Sequence, residues 1–294
     1  MNQPCEVHSA RIQFPDPALW ELAAILCGSL HPLKGDAVEC NYYSSGKAGV
    51  LVYTRTRRTA AHFECLFDKI NLNTSHINIF RALLSLIPAE THAIRLLTNG
   101  GISLFFKIDL PWSEIATLNE ALMLTGEHSE RMSHFFRHTS GFACGMALEL
   151  STGGPRIRYY RMMNSIWGIK KTLDSVHHIL GIDHGFFSKP VQTLLRLSRN
   201  PEKAVMNICA DKRSGISVKF EFPQIKAVDA MRLYDTMTFA SATRYKAGTL
   251  LRWTGHDAFS YTGLRCAENG ASEFTFYIDV ADLLGTVLQN GRAR

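Results

Sequence analysis

The seven cysteines of this 294-residue sequence include no CxxC pair, which argues against a zinc ribbon or a paired disulfide frame. An odd number of scattered cysteines reads as reduced thiols, and a cytoplasmic setting is expected. No apolar run approaches the ~20 residues that a membrane-spanning helix needs. The opening "MNQPCEVHSARIQF" lacks an apolar segment of signal-peptide type. GxGxxG, P-loop and nucleophile-elbow patterns are missing. The twelve histidines show no metal-ligand spacing, and the pair His177–His178 falls in a helical pattern. The net charge of +6 is scattered rather than massed, so neither nucleic acid nor membrane is expected as a partner. What the chain does have is 46% hydrophobic and 20% charged residues, the balance of a globular protein with a real core.

Repeats set the architecture. A pattern of strand, short turn, strand and helix occurs five times. The copies are "AVECNYYSSGKAGVLVYTRTRR", "THAIRLLTNGGISLFFKIDLP", "MALELSTGGPRIRYYRMM", "AVMNICADKRSGISVKFEFP" and "TGLRCAENGASEFTFYIDV". Each turn is rich in Gly, Ser or Asn, as tight connections require. Helical patterns follow in "AAHFECLFDKI", "WSEIATLNEALMLTG", "NSIWGIKKTLDSVHHILG", "QIKAVDAMRLYDTM" and "ADLLGTVLQN". Others lie between the copies, in "INIFRALLSLI", "SERMSHFFRHT", "PVQTLLRLSRN" and "SATRYKAGTLLRW". The period is on the order of 50 residues. Five hairpins predict a ten-stranded antiparallel barrel ringed by helices, an α+β fold in a single domain spanning residues 1–294. A TIM barrel is excluded, because its strands are parallel and each is followed by a helix.

Alternation assigns the faces. Ile102, Leu104, Phe106 and Ile108 share one face of their strand; Ile216, Val218, Phe220 and Phe222 do so in another; Phe274, Phe276 and Ile278 in the last. A consistently apolar face belongs under helices. The mixed polar and aromatic face then lines a lumen wide enough for a ligand. Arg156, Arg158 and Tyr160 point into it, joined by Lys107, Lys219 and Arg55. Cations converging in an enclosed space repel one another and call for an anion. Diphosphate suits guanidinium forks. The alternative is a set of ordinary ion pairs with carboxylates such as Glu221. Tyr160 and Tyr277 are placed to stabilise a carbocation left by a departing diphosphate, or simply to pack. Glu39 is a candidate proton acceptor, or a salt-bridge partner of Arg55 or Arg158. "DVAD" (279–282) reads as a strand-to-helix cap, and "RWTGHDAFSY" (252–261) as a loop.

The five-fold plan resembles the ABBA (PT-barrel) aromatic prenyltransferases, and most of all the cyanobactin-type enzymes that prenylate ribosomal peptides. "GDAVECNYYSSG" is similar to the family's first hairpin, and the resemblance implies Glu39 as base. "AIRLLTNGGISLFFKIDLPWSEI" implies Lys107 as a diphosphate contact. "RIRYY" implies Arg156 and Arg158 on phosphate with Tyr160 as shield, and "FTFYIDV" implies Tyr277. Ser103 stands where a relative would place a lysine, and Lys219 where others have tyrosine or glutamine. No DDxxD motif is present. The resemblance implies a monomeric enzyme without organic cofactor, with magnesium left open as a companion of the diphosphate. It would transfer dimethylallyl or geranyl from an allylic diphosphate to a peptide side chain. The alternatives are a free indole or phenol as acceptor, and a non-catalytic barrel that binds an anionic lipid.

Overall fold

Ten strands close through five hairpins into one barrel, in the order β1-β10-β9-β8-β7-β6-β5-β4-β3-β2, with every neighbouring pair antiparallel. The computed structural model describes residues 14–30, 36–58, 66–70, 74–86, 90–122, 129–139, 141–151, 154–182, 184–211 and 215–281. Side chains of 54–58, 83–86, 90–92, 120–122, 129, 184–186 and 211 are outside that description. The strands are β1 Ala37–Tyr43, β2 Ala48–Arg58, β3 Glu90–Leu97, β4 Ile102–Pro111 and β5 Phe142–Leu150. β6 Arg156–Met163, β7 Ala204–Asp211, β8 Gly215–Lys226, β9 Ala258–Ala267 and β10 Ser272–Asp279 complete the barrel.

The helices are α1 Pro17–Leu30, α2 Thr74–Leu86, α3 Trp112–Leu122 and α4 Ser129–His138, followed by α5 Ile166–Leu180, α6 His184–Leu197, α7 Ala227–Thr236 and α8 Ser241–Thr254. Helix α1 was not foreseen. Its buried Leu19, Ala23, Leu26 and Leu30 carry the helical period, but they precede the first hairpin and so fall outside the repeat. The helix expected at 60–70 is seen at 66–69. Most of the one expected over 281–290 lies outside the described residues.

Local chemistry explains the hairpins. Between β3 and β4, the Leu97 N–H bonds the Gly101 carbonyl at 2.8 Å, and Gly100 takes φ 79°. The β9–β10 turn repeats this with Ala267 to Ala271 at 2.8 Å and Gly270 at φ 80°. Left-handed backbone of this kind favours glycine. Helix α5 is held at both ends: Ser165 Oγ accepts from the Gly168 N–H at 3.0 Å, and Gly181 closes it at φ 67°.

Outward-facing strand residues form the core against the helices. Leu104, Phe220, Phe222, Phe274, Phe276 and Ile278 are all fully buried there, each side chain contributing about 1.5–3 kcal/mol. The polar, aromatic face turns inward. The alternation thus assigned both faces correctly.

Candidate active site

The barrel holds a cavity of about 690 Å³ whose wall includes Glu39, Tyr53, Arg95, Phe105, Lys107, Tyr160, Glu221, Tyr261 and Tyr277. Strand pairing organises it. Because strands tilt across a barrel axis, rows of paired neighbours run obliquely around it. One row passes Glu39–Leu51–Arg95–Ser103–Glu149–Arg156. Another passes Lys107–Gly145–Tyr160–Asn207–Lys219–Arg265–Glu273. A third passes Tyr53–Ala93–Phe105–Ala147–Arg158. Its apolar members, with Leu51 and Tyr160, form a small cluster separate from the main core.

These rows sort the sequence-named residues by depth. Glu39, Lys107, Tyr160 and Tyr277 line the cavity, and Lys107 stands exposed on its wall. Arg158 and Lys219 are buried at 5% and 1% exposure but are not among the residues that line it. Arg156 lies at the far end of its row. Arg55 is in β2, and its side chain lies outside the described residues.

The expectation of bare, mutually repelling cations requires correction. Glu149 accepts from both Arg156 and Arg158. Burial alone would raise the Glu149 carboxyl, but Arg158 and Arg156 hold it down at about 2. Lys219 pairs with Glu221 Oε1 at 2.9 Å and donates to the Tyr277 hydroxyl at 2.5 Å, and that hydroxyl donates in turn to Glu221. Burial pushes Lys219 down to about 8, against the pull of Glu221. Arg265 approaches Glu273 at 3.5 Å. The lumen therefore carries its own carboxylates, as unpaired buried charge would be very costly.

Arg95 differs from these cations. It is 4% exposed, lines the cavity, and has no ion pair with a carboxylate among the described residues; its Nε is unpartnered. Its guanidinium carbon lies 5.0 Å from the Phe105 ring centre and 5.9 Å from that of Tyr277. The sequence reading passed over it. The available signal was parity: in "AIRLL" it sits two residues after Ala93, on the inward face.

Glu39 is 8% exposed. Burial raises its carboxyl to about 7; Asp279 and Glu221 push the same way, while the Ser260 hydrogen bond and Arg95 oppose. Ser260 Oγ donates to Glu39 Oε1 at 2.8 Å. Ser260 and Tyr261 come from the segment read as a loop, and strand β9 begins within it. Across from them, Gln224 at φ 51° breaks the alternation of β8, so that Phe222 and Ile225 both enter the core. The register of β8 and β9 is unbroken there; Phe259 also enters the core, while Ser260 reaches Glu39 and Tyr261 lines the cavity.

Asp279 accepts from the Ala281 N–H at 2.9 Å, the cap expected of "DVAD". His177 Nδ1 contacts the Ile182 carbonyl at 3.1 Å. Among the described residues, no group of three or more His, Cys, Asp or Glu could hold a metal ion, and no residue is assigned to magnesium.

No family model matches the sequence, and neither does any curated protein. Solved structures do match the fold. 5-Dimethylallyltryptophan synthase from Streptomyces coelicolor aligns with a TM-score of 0.60 at 15% identity, covering 90% of this chain and 91% of that one. The prenyltransferase PriB, in a binary complex with product diphosphate, aligns at 0.57 and 12% identity, covering 91% and 94%. AnaPT from Neosartorya fischeri aligns at 0.53 and 12% identity, covering 83% and 77%. Structures of similar fold hold DMASPP with Trp, or DMSPP with brevianamide F. At such identities the fold is what is shared, and this barrel is of the PT-barrel type.

Proposed function

We propose that this PT-barrel transfers an isoprenyl group from an allylic diphosphate to a nucleophile held beside Glu39. The observation that carries the reading is Arg95, a buried guanidinium with no carboxylate of its own, set in a cavity walled by Phe105, Tyr160 and Tyr277. A desolvated guanidinium fork suits diphosphate oxygens. As the allylic C–O bond breaks, the leaving group keeps the electron pair at Arg95. Arg158 and Lys219, buried below, add positive potential, as does Lys107 from the wall; Arg55 and Arg156 complete the proposed set. The tyrosine faces shield the allylic cation and keep water from it. Glu39, poised near neutrality, takes the proton that the acceptor loses.

For the acceptor we favour a peptide side chain. The mouth is edged by the half-exposed Tyr53 and Met162, both also on the cavity wall, which suits a substrate extending beyond the lumen. The second reading is a free indole or phenol, favoured by the Trp and brevianamide F complexes of similar fold. We take the working unit to be a single-domain, cytoplasmic monomer. Calorimetry with dimethylallyl thiolodiphosphate tests the donor site. Arg95→Gln should weaken binding about tenfold or more, the worth of one charged hydrogen bond. Unchanged affinity in a folded variant would overturn the assignment.

A further inference from the structure

The cavity holds more acid than an anion site needs. Glu39 and Glu221 both line it, and each has one oxygen committed: Glu39 Oε1 to Ser260, and Glu221 Oε1 to Lys219 and Tyr277. Among the described residues, no hydrogen bond or ion pair engages Oε2 of either. Glu39 on β1 and Glu221 on β8 are separated only by β10 and β9. Those two strands supply Tyr277 and Tyr261, whose rings meet edge to face at 6.3 Å. Two spare carboxylate oxygens beside the aromatic pair give this wall of the cavity acceptors for a cation. Arg95, five strands from Glu221, is the independent mark of a ligand: a side chain 4% exposed that lines the same cavity and whose buried Nε is unpartnered. The one cavity thus offers an anion a guanidinium and a cation two carboxylate oxygens.

We infer that the acceptor is a cationic nitrogen nucleophile, specifically the guanidinium of an arginine side chain, held by Glu39 and Glu221 on the wall that carries Tyr261 and Tyr277. The inference rests on the prenyl-transfer reading and deepens it. A planar fork offers N–H donors to two separated carboxylates at once, which an ammonium point charge does less well, and an indole has only one N–H to give. Glu39 removes a proton from the guanidinium, leaving a neutral guanidine. Its nitrogen lone pair forms the bond to the allylic carbon as the C–O bond breaks and diphosphate leaves with the electron pair. The products are a prenylated guanidinium, protonated Glu39 and free diphosphate, so charge and atoms balance.

The test offers the wild-type enzyme dimethylallyl diphosphate with three capped peptides that differ only in carrying arginine, lysine or tryptophan. Arginine should be prenylated with kcat/KM about tenfold or more above the others, in keeping with one extra charge-assisted contact. In Glu221→Gln that preference should fall by a similar factor, chiefly through the KM of the arginine peptide. Should Glu221→Gln fail to fold, calorimetry of the arginine peptide on the wild-type enzyme loaded with thiolodiphosphate replaces it, and binding tighter than the tryptophan peptide is expected. Prenylation of tryptophan or lysine but not arginine overturns the inference and leaves the transfer reading standing. No product from any peptide, with no thiolodiphosphate binding, overturns both.

Discussion

Arg95 on β3 and Glu221 on β8 stand five strands apart in either direction around the barrel, so they face each other across the cavity. Glu221 is balanced by Lys219 at 2.9 Å. Arg95 has no such partner among the described residues. One wall therefore presents an ion-paired carboxylate and the other an unbalanced cation.

The Lys219–Glu221 pair should behave as a coupled unit. Lys219→Met leaves a carboxylate stranded in a buried site and should cost about 3–5 kcal/mol. Adding Glu221→Gln should recover much of that loss. Denaturant unfolding of the two single variants and the double variant measures the coupling, and simple additivity would show that the pair does not act as described.

Glu149 should contribute to acid stability. Its carboxyl is held at about 2 against a usual 4.5, so its stabilisation is complete above pH 4.5 and is lost as pH falls towards 2. Glu149→Gln should strand Arg158 and lower the thermal midpoint at pH 7. The deficit relative to wild type should shrink steadily from pH 4.5 down to pH 2. A constant deficit across that range would contradict the assignment.

Glu39 has the opposite sign. Its carboxyl is raised to about 7 from 4.5, so the folded state binds the extra proton between those values, and ionisation there destabilises it as pH rises. Glu39→Gln should gain stability relative to wild type between pH 5 and pH 8. It should lower turnover by roughly 10²–10⁴-fold. A variant that melts early yet turns over normally would make Glu39 a scaffold residue.

Gly263 makes room for Lys219. A Cβ there would lie 2.6 Å from Lys219 Cε and 3.2 Å from Glu221 Cγ. Gly263→Ala should force that buried chain aside at a cost of about 1–3 kcal/mol, read as a lower thermal midpoint. A crystal structure of the variant with Lys219 unmoved would refute it.

Hairpins and faces were legible because period-two patterning and Gly-rich turns are local. "ISLFFKID" declares its apolar face without reference to any other strand. Depth was not legible. Lys107 and Lys219 share inward parity, yet one is exposed on the wall and the other is 1% exposed, since shear between strands sets the level. Nor were the ion pairs fully readable: Glu149 is claimed by two arginines from the next strand. Ser260 was hidden because the alternation of β8 and β9 breaks where Gln224 takes φ 51°, a feature that no alternation rule reveals. Glu39, Tyr160 and Tyr277 do reach the cavity as parity implied, whereas Arg95 was missed as one cation in an apolar strand.

Product formation tests the central proposal most directly. The enzyme is incubated with dimethylallyl diphosphate and the capped peptides, and mass spectrometry is read alongside diphosphate release. The account predicts one diphosphate released per prenyl group gained, with both falling together in Arg95→Gln. Tight donor binding with no prenylated product from any peptide, indole or phenol would instead mean a barrel that carries an anionic lipid, and would contradict it.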